Sequence, residues 1–424
     1  MHNLKHHLNN TKIIMMCTII GLYCGIAQTQ VSAAEATYEI GTGNTSYQYN
    51  DLKNRYQWYS STYMQKMLSY QIEALNYSLT SESSASISSQ FATAVDKCSR
   101  LKQLKQEYME YRSTVSDAAI LAELDAQIQT ISDQIEQYNS TINSYQSSLA
   151  ESNLKAEIEQ FYVNYQSMIN QEAQNKLLND FMKKCYGLIL LQEQEDYYVS
   201  NNDYLSTIQR IEKIKTSHGI STQISSDIAT ANLLKNKLAL QENVRSLYTA
   251  YTEIKTETNV AEGTRILLPI AVSPKQYGLE ETILQFEYRN MALAQYSHLK
   301  QCYQRYLSLN NKTNTLYHQI ELKIQDYQLQ HNVLKNNIRK YVTEAIYAYD
   351  NEFRNLELAD KEFQIAQKNY NIMVTKKKYK KATELDVTKA KSEMESAEVA
   401  YYQCIYKIIM WRDILDNGIY GATP

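Results

Sequence analysis

Histidine, cysteine and acidic residues are the types that ligate metals or supply nucleophiles. Beyond residue 34 the chain holds His218, His298, His318 and His331 together with Cys98, Cys185, Cys302 and Cys404. Each histidine is isolated, with no cysteine or acid read at metal-ligand spacing, and His318 and His331 are expected on solvated helix faces. No Gly-rich phosphate loop, nucleophile elbow or His-Glu-x-x-His helix occurs. No catalytic, cofactor-binding or metal-binding residues are therefore assigned, and an enzyme is not expected. Cys302 falls on an apolar stripe between Leu299 and Tyr306, and Cys404 on another between Tyr401 and Ile408, which suits buried thiols acting as small apolar side chains. Disulfides are the alternative, with three pairings open. The remaining chemistry is charge. Five lysines lie between Lys376 and Lys381 around a single Tyr379. Such a run suits a solvated helix end, and contact with an adaptor protein or anionic lipid is the other reading.

The elements that carry these residues are helical. The 424 residues include only three prolines and ten glycines, with no proline between Ala34 and Leu268 or between Lys275 and Thr423. Helices can therefore run far, and no stretch alternates with the two-residue period of a strand. Leu121, Leu124, Ile128, Ile131, Ile135, Tyr138, Ile142, Tyr145 and Leu149 alternate spacings of three and four, a coiled-coil seam. An earlier run, Leu101 to Ala118, keeps the same alternation and changes phase between Ala118 and Leu121. A further pair of seams meets at Thr375 to Glu384: Leu356, Ala359, Phe363, Ala366, Tyr370 and Met373 lead in, and Met394, Ala397, Tyr401, Cys404, Ile408, Trp411 and Leu415 lead out. Narrow stripes of this kind need partners, so assembly is expected. Thr80 to Ser89, with six serines, reads as a loop or weak helix end, and Leu307 to Thr315 as a turn.

The turn Lys380 to Val387 has a fainter copy 161 residues earlier, Gly219 to Ser226, and the register continues through Ala229 against Ala390 and Leu238 against Val399. Identities are few: Ile211 with Ile372, Lys215 with Lys376, Thr222 with Thr383. The pattern is that of a duplicated helical hairpin. It divides the chain into a first helical repeat over 34–258, a link over 259–280 holding Pro269, Pro274 and Gly278, and a second repeat over 281–424. Residues 1–33 read as a secretory signal, with Lys5 and Lys12 ahead of an apolar run and small residues at Ser32 and Ala33. The mature chain from Ala34 carries 41 basic against 46 acidic side chains, a formal charge of −5. That balance does not point to nucleic acid.

Ala382-Thr383-Glu384-Leu385-Asp386-Val387-Thr388-Lys389-Ala390, followed by a helix ending in Leu415-Asp416-Asn417-Gly418, resembles the closing motif of the outer-membrane efflux (TolC-like) family. Asn290 to Lys300 resembles the opening of that family's second repeat. The resemblance implies an all-α protomer of long antiparallel helices in two repeats. It also implies a homotrimeric helical duct in the bacterial cell envelope, in the periplasm or at the outer membrane, serving efflux or type I secretion. Periplasmic adaptor and inner-membrane transporter proteins would dock at the hairpin tips, here Gly219, Ser221, Thr222, Lys380, Thr383, Glu384, Asp386 and Val387. The two tips depart from the family in opposite ways. The first keeps Gly219 and has Ser225 in the acidic position, whereas the second has Asp386 and replaces the glycine with Lys380. The family also inserts two β-strands early in each half to build a membrane barrel. A spanning strand needs about 9–11 residues, and none is legible here, so the barrel part is expected to be reduced or absent. The alternative is an exported coiled-coil interaction protein that has lost conduction. A helical pore-forming toxin is a third class, for which Ile266 to Val272, interrupted by Pro269, is a poor membrane hairpin.

Overall fold

The computed structural model describes residues 37–41, 45–261, 264–309 and 314–424. The proposed signal over 1–33 lies outside them. Helices α1 (Tyr49–Tyr59), α2 (Ser61–Thr114), α3 (Ala118–Asn164), α4 (Gln166–Ser217) and α5 (Gln223–Thr258) precede α6 (Leu279–Arg289), α7 (Met291–Leu309), α8 (Asn314–Lys378) and α9 (Glu384–Asn417). The architecture is all-α in the sense expected, with long antiparallel hairpins. At 1.5 Å per residue the 65 residues of α8 extend roughly 100 Å.

The hairpins lie side by side. Toward one end α5 packs on α4, α4 on α9 and α9 on α8. Toward the other, α2 packs on α3, α3 on α7 and α7 on α8. The α3 seam predicted from Leu121 to Leu149 is the one packed against α2, with Leu124 and Ile131 buried. The α8 and α9 seams also meet, where Phe363 stacks on Tyr401 at 6.1 Å between ring centroids. The α4/α9 contact adds polar rungs to its apolar part. Asn201 Oδ1 accepts from Ser392 Oγ at 3.2 Å, and Asn179 Nδ2 donates to Asp413 Oδ2 at 2.8 Å. Asn236 of α5 joins this ladder by accepting from Asn201 Nδ2 at 2.6 Å and donating to the Tyr198 carbonyl at 2.9 Å. Because a buried amide left unpaired costs about 1–3 kcal/mol, such a ladder penalises a slip of one helix along the next.

Between the two ends sits a small sheet of β1 (Thr37–Ile40), β2 (Ser46–Gln48) and β3 (Arg265–Pro269), ordered β1-β3-β2. Tyr38 of β1 faces Leu268 in an antiparallel pair, and β2 runs parallel to β3 with Tyr47 against Ile266. Ile266 and Leu268 are fully buried among Leu52, Phe181, Cys185 and Leu188. A second core gathers Ile283, Phe286, Ile338, Val342, Tyr349, Ile408 and Ile414.

Several expectations are corrected. No strand was expected, yet three form. Each is only three to five residues long, too short for the two-residue period to register. The serine-rich Thr80 to Ser89 is not a loop but continues α2, because most of its serines point to solvent while Ser84 bonds Asn153 of α3. The phase change near Ala118 is a chain reversal at Val115–Asp117. There the Asp117 carboxylate accepts from the amides of Ala119 and Ile120 at 2.8 and 3.3 Å. In the turn expected at Leu307 to Thr315, residues 310–313 lie outside the described ones. The far hairpins are unequal. Pairings of Arg305 with Glu157 and Met291 with Glu172 set the end of α7 near residue 150 of α3, so the α2/α3 hairpin runs on alone for about 50 Å. Helices occupy the early part of both halves, where the resemblance would place membrane strands.

Candidate docking site at the hairpin tips

The tips are built by the same hydrogen bonds in both halves. At the first, the Gly219 amide donates to the Thr216 carbonyl at 3.0 Å and the Ile220 amide to Lys215 at 2.8 Å. At the second, the Lys380 amide donates to Lys377 at 2.9 Å and the Lys381 amide to Lys376 at 2.9 Å. Each pair is a Schellman motif, which satisfies the last carbonyls of the incoming helix through one residue in the left-handed region. That residue is Gly219 at φ 72° in one turn and Lys380 at φ 58° in the other. The outgoing helices are capped alike. Thr222 Oγ1 accepts from the Ser225 amide at 3.2 Å, and Thr383 Oγ1 from the Asp386 amide at 3.2 Å. Six turn and cap positions thus correspond at the 161-residue offset, and Ala229 and Ala390 are both buried just beyond.

The side chains differ. In the second tip the Asp386 carboxylate returns the bond, accepting from the Thr383 amide at 2.8 Å and its hydroxyl at 2.7 Å, a reciprocal capping box. These bonds, the amide's first, hold the exposed Asp386 below the ordinary carboxylate range. In the first tip Ser225 leaves its own cap one-sided, and the acid sits on the incoming helix. Glu212 pairs with Lys215 at 2.8 Å and accepts from Ser221 Oγ at 2.8 Å, which lowers its pKa with the lysine bond as the larger cause. Glu384 pairs with Lys377 across the second turn. Val387 is half-buried, while Gly219, Thr222, Lys380, Thr383, Glu384 and Asp386 are exposed.

All eight predicted tip residues therefore lie at one end of the molecule, in two turns. The turns are staggered. Asn201 with Ser392 and Asn179 with Asp413 set an antiparallel register that, continued to the end, brings residue 381 level with residue 211. The first tip thus stands about 12 Å farther out than the second.

Elsewhere the sequence reading missed a contact. His298 and Cys302, treated as isolated, lie together on α7, with Nε2 3.3 Å from Sγ and 2.7 Å from the Glu157 carbonyl. Burial raises the Cys302 thiol pKa. The spacing of four along a helix was the available signal. Among the described residues no group of three His, Cys, Asp or Glu side chains could hold a metal ion. Among the described residues Cys98, Cys185, Cys302 and Cys404 are free thiols. His318 is exposed beside Glu321, as expected of a solvated face, whereas His331, expected on one too, is half-buried with Nδ1 out of contact with solvent.

No protein-family model and no curated protein matches the chain. In structure it is similar to outer-membrane channels. The Campylobacter jejuni CmeC outer membrane channel aligns at TM-score 0.45 with 13% identity, over 65% of this chain and 67% of that one. The Vibrio cholerae outer membrane protein VceC gives 0.40 and 12%, over 65% and 74%. The open-state Neisseria gonorrhoeae MtrE outer membrane channel gives 0.40 and 14%, over 64% and 72%.

Proposed function

We propose that the mature chain is a non-enzymatic, duct-forming component of an efflux or type I secretion assembly in the bacterial cell envelope. Three copies would close into a helical barrel, and the paired tips would dock adaptor and transporter proteins. The observation that carries this reading is a single layer of helices with two unsatisfied edges. Along α8, Leu322, Leu329, Val333, Tyr347, Leu358, Ile365 and Ile372 are exposed and fall on one face at 100° per residue. On the opposite edge, α2 exposes Met64, Leu68, Ile72, Leu75 and Leu79, and α5 exposes Ile224, Ile228, Leu234 and Leu238. A monomer rarely shows contiguous apolar stripes of such length. Two different edges that complement one another make a head-to-tail contact, which closes into a ring when the rotation allows. The number three and the partner classes come from the family resemblance.

Light scattering of the chain from Ala34 to Pro424 in detergent-free buffer tests the assembly. A trimer that falls to monomer on Leu358→Asp, Ile365→Asp and Ile372→Asp together is the expected result. A stable wild-type monomer would sink the duct in favour of a coiled-coil interaction protein. For docking, Asp386→Arg and Thr222→Arg are expected to abolish export in a strain that depends on the protein, and unchanged export would remove the tips from the site.

A further inference from the structure

The two tips share a backbone and differ in charge. Over residues 373–391 the second carries seven lysines and two acids, while the matching window 212–230 carries two lysines and two acids. Both acids of the second tip are engaged within it, Glu384 with Lys377 and Asp386 in the cap. Lys376, Lys378, Lys380 and Lys381 all point to solvent, and no ion pair joins them to an acid among the described residues. Lys380 also stands where the twin turn has glycine. Its left-handed φ of 58° costs a side-chain-bearing residue about 1 kcal/mol. A residue kept in a disfavoured conformation at an exposed turn points to a role for its side chain.

A second observation lies at the same end. Ile220, at the apex of the leading tip, is 75% exposed and Tyr379, inside the lysine run, is 72% exposed. The stagger sorts these groups by depth. The aliphatic apex leads, and the tyrosine and lysines follow about 12 Å behind with flexible side chains that reach forward. A surface met by this end encounters an apolar point first and a basic collar next. That order matches the outer leaflet of a bilayer, where apolar groups enter about 5–10 Å and lysines and tyrosines rest among the head groups. The collar uses lysine throughout and no arginine. Lysine is a hydrated point charge that needs no fixed partner geometry, as a fluid anionic surface requires, whereas arginine suits fixed carboxylate pairs.

We propose that the tip end binds the surface of an anionic phospholipid membrane, with Lys376, Lys378, Lys380 and Lys381 as the head-group contacts and Ile220 and Tyr379 as the interfacial anchors. The contact assigns the lysine face of the tip, Lys380 included, to lipid in place of the protein docking proposed above, and rests on the duct reading only for the number of collars per assembly. A trimer would present three collars to one membrane, so weak contacts multiply.

Sedimentation of the mature chain with vesicles tests it. Partition into phosphatidylcholine vesicles containing phosphatidylglycerol is expected, with little into pure phosphatidylcholine, and raising the salt should release it. Lys376→Gln, Lys378→Gln and Lys381→Gln are each expected to weaken partition about fivefold, the equivalent of about 1 kcal/mol per lysine. Ile220→Ser should weaken it without changing its salt dependence. Lys380→Gly separates charge from folding, because it should lower partition while leaving the melting temperature equal or higher. No partition into anionic vesicles, equal partition into neutral ones, or a triple glutamine variant that binds like the parent overturns the proposal. Polyglutamate held by the collar of a chain that ignores vesicles does so too, and would assign the lysines to an acidic protein. Failure of the duct reading registers separately: a monomer by light scattering that still partitions into anionic vesicles keeps the lipid contact and loses the barrel.

Discussion

The two tips and the two far hairpins are the ends of the same duplicated unit, and they have diverged in different currencies. At the tips, the two Schellman bonds and the threonine cap correspond at an offset of 161, while the side chains have changed. At the far end the topology is kept, and the lengths have changed. Helix α2 has 54 residues where α7 has 19. A Schellman turn followed by a capped helix satisfies orphan carbonyls and amides within about ten residues, so it tolerates new surface charge but not an inserted residue. A coiled-coil hairpin repeats the same contact every heptad and can lengthen without disturbing what lies below it.

The comparison breaks most visibly at the caps. Thr383→Ala removes the acceptor for the Asp386 amide and half of a reciprocal box, so a loss of about 1–2 kcal/mol is expected. Thr222→Ala, which removes a one-sided cap, should cost about half as much. Chemical denaturation of both variants measures the difference, and equal losses would mean that the capping box adds nothing. The left-handed residue gives the next largest effect. Gly219→Lys should destabilise the first hairpin by about 1 kcal/mol and Lys380→Gly should stabilise the second by a similar amount. No atom lies within 4 Å of a Cβ added at Gly219, so the effect there is conformational and not a clash. Opposite signs in a thermal melt are the expected signature.

The smallest effect is in pH. Asp386 and Glu212 are both depressed in the folded chain. Each contributes stability that is fully present above its unfolded pKa, ordinarily 3.8 for the aspartate and 4.5 for the glutamate. That contribution fades as the pH falls through the lower folded value. The protection of the turn amides, measured against their intrinsic exchange rates, should therefore fall below about pH 4. Asp386→Ser should remove the pH dependence from the second turn alone, and Glu212→Gln from the first alone.

What was legible in the sequence was whatever repeats locally. The seams of α3, α8 and α9 show themselves because buried positions recur every three or four residues, and the paired turns because Gly219, Thr222 and Thr383 are the types their geometry demands. The reversal at Val115–Asp117 was harder, since it uses neither glycine nor proline and leaves only a phase slip and the capping Asp117. The serines of α2 misled because serine is common in loops, yet on the solvent face of a long helix the burial of Ala94 and Cys98 farther along outweighs its weak propensity. The second buried face of α9 was invisible for the opposite reason. Ser392, Glu395 and Glu398 are polar yet buried, with Ser392 bonded to Asn201 of α4. Polar side chains at a helix interface carry no hydrophobic period, so only the fold reveals them.

The small sheet sets the order in which the molecule can be completed. Each hairpin closes on residues near it in the chain, within reach of contacts that form quickly. Strand β1 must instead wait for β3, and Tyr38 finds the buried Glu193 at 2.5 Å only after more than a hundred intervening residues have folded around it. The second core waits longer, since Ile283 and Phe286 pack with Ile414 and Leu415 near the end of the chain. The rods can therefore form first and the waist that joins them last. Any truncation before the final helix would leave two finished hairpins hanging from an open middle.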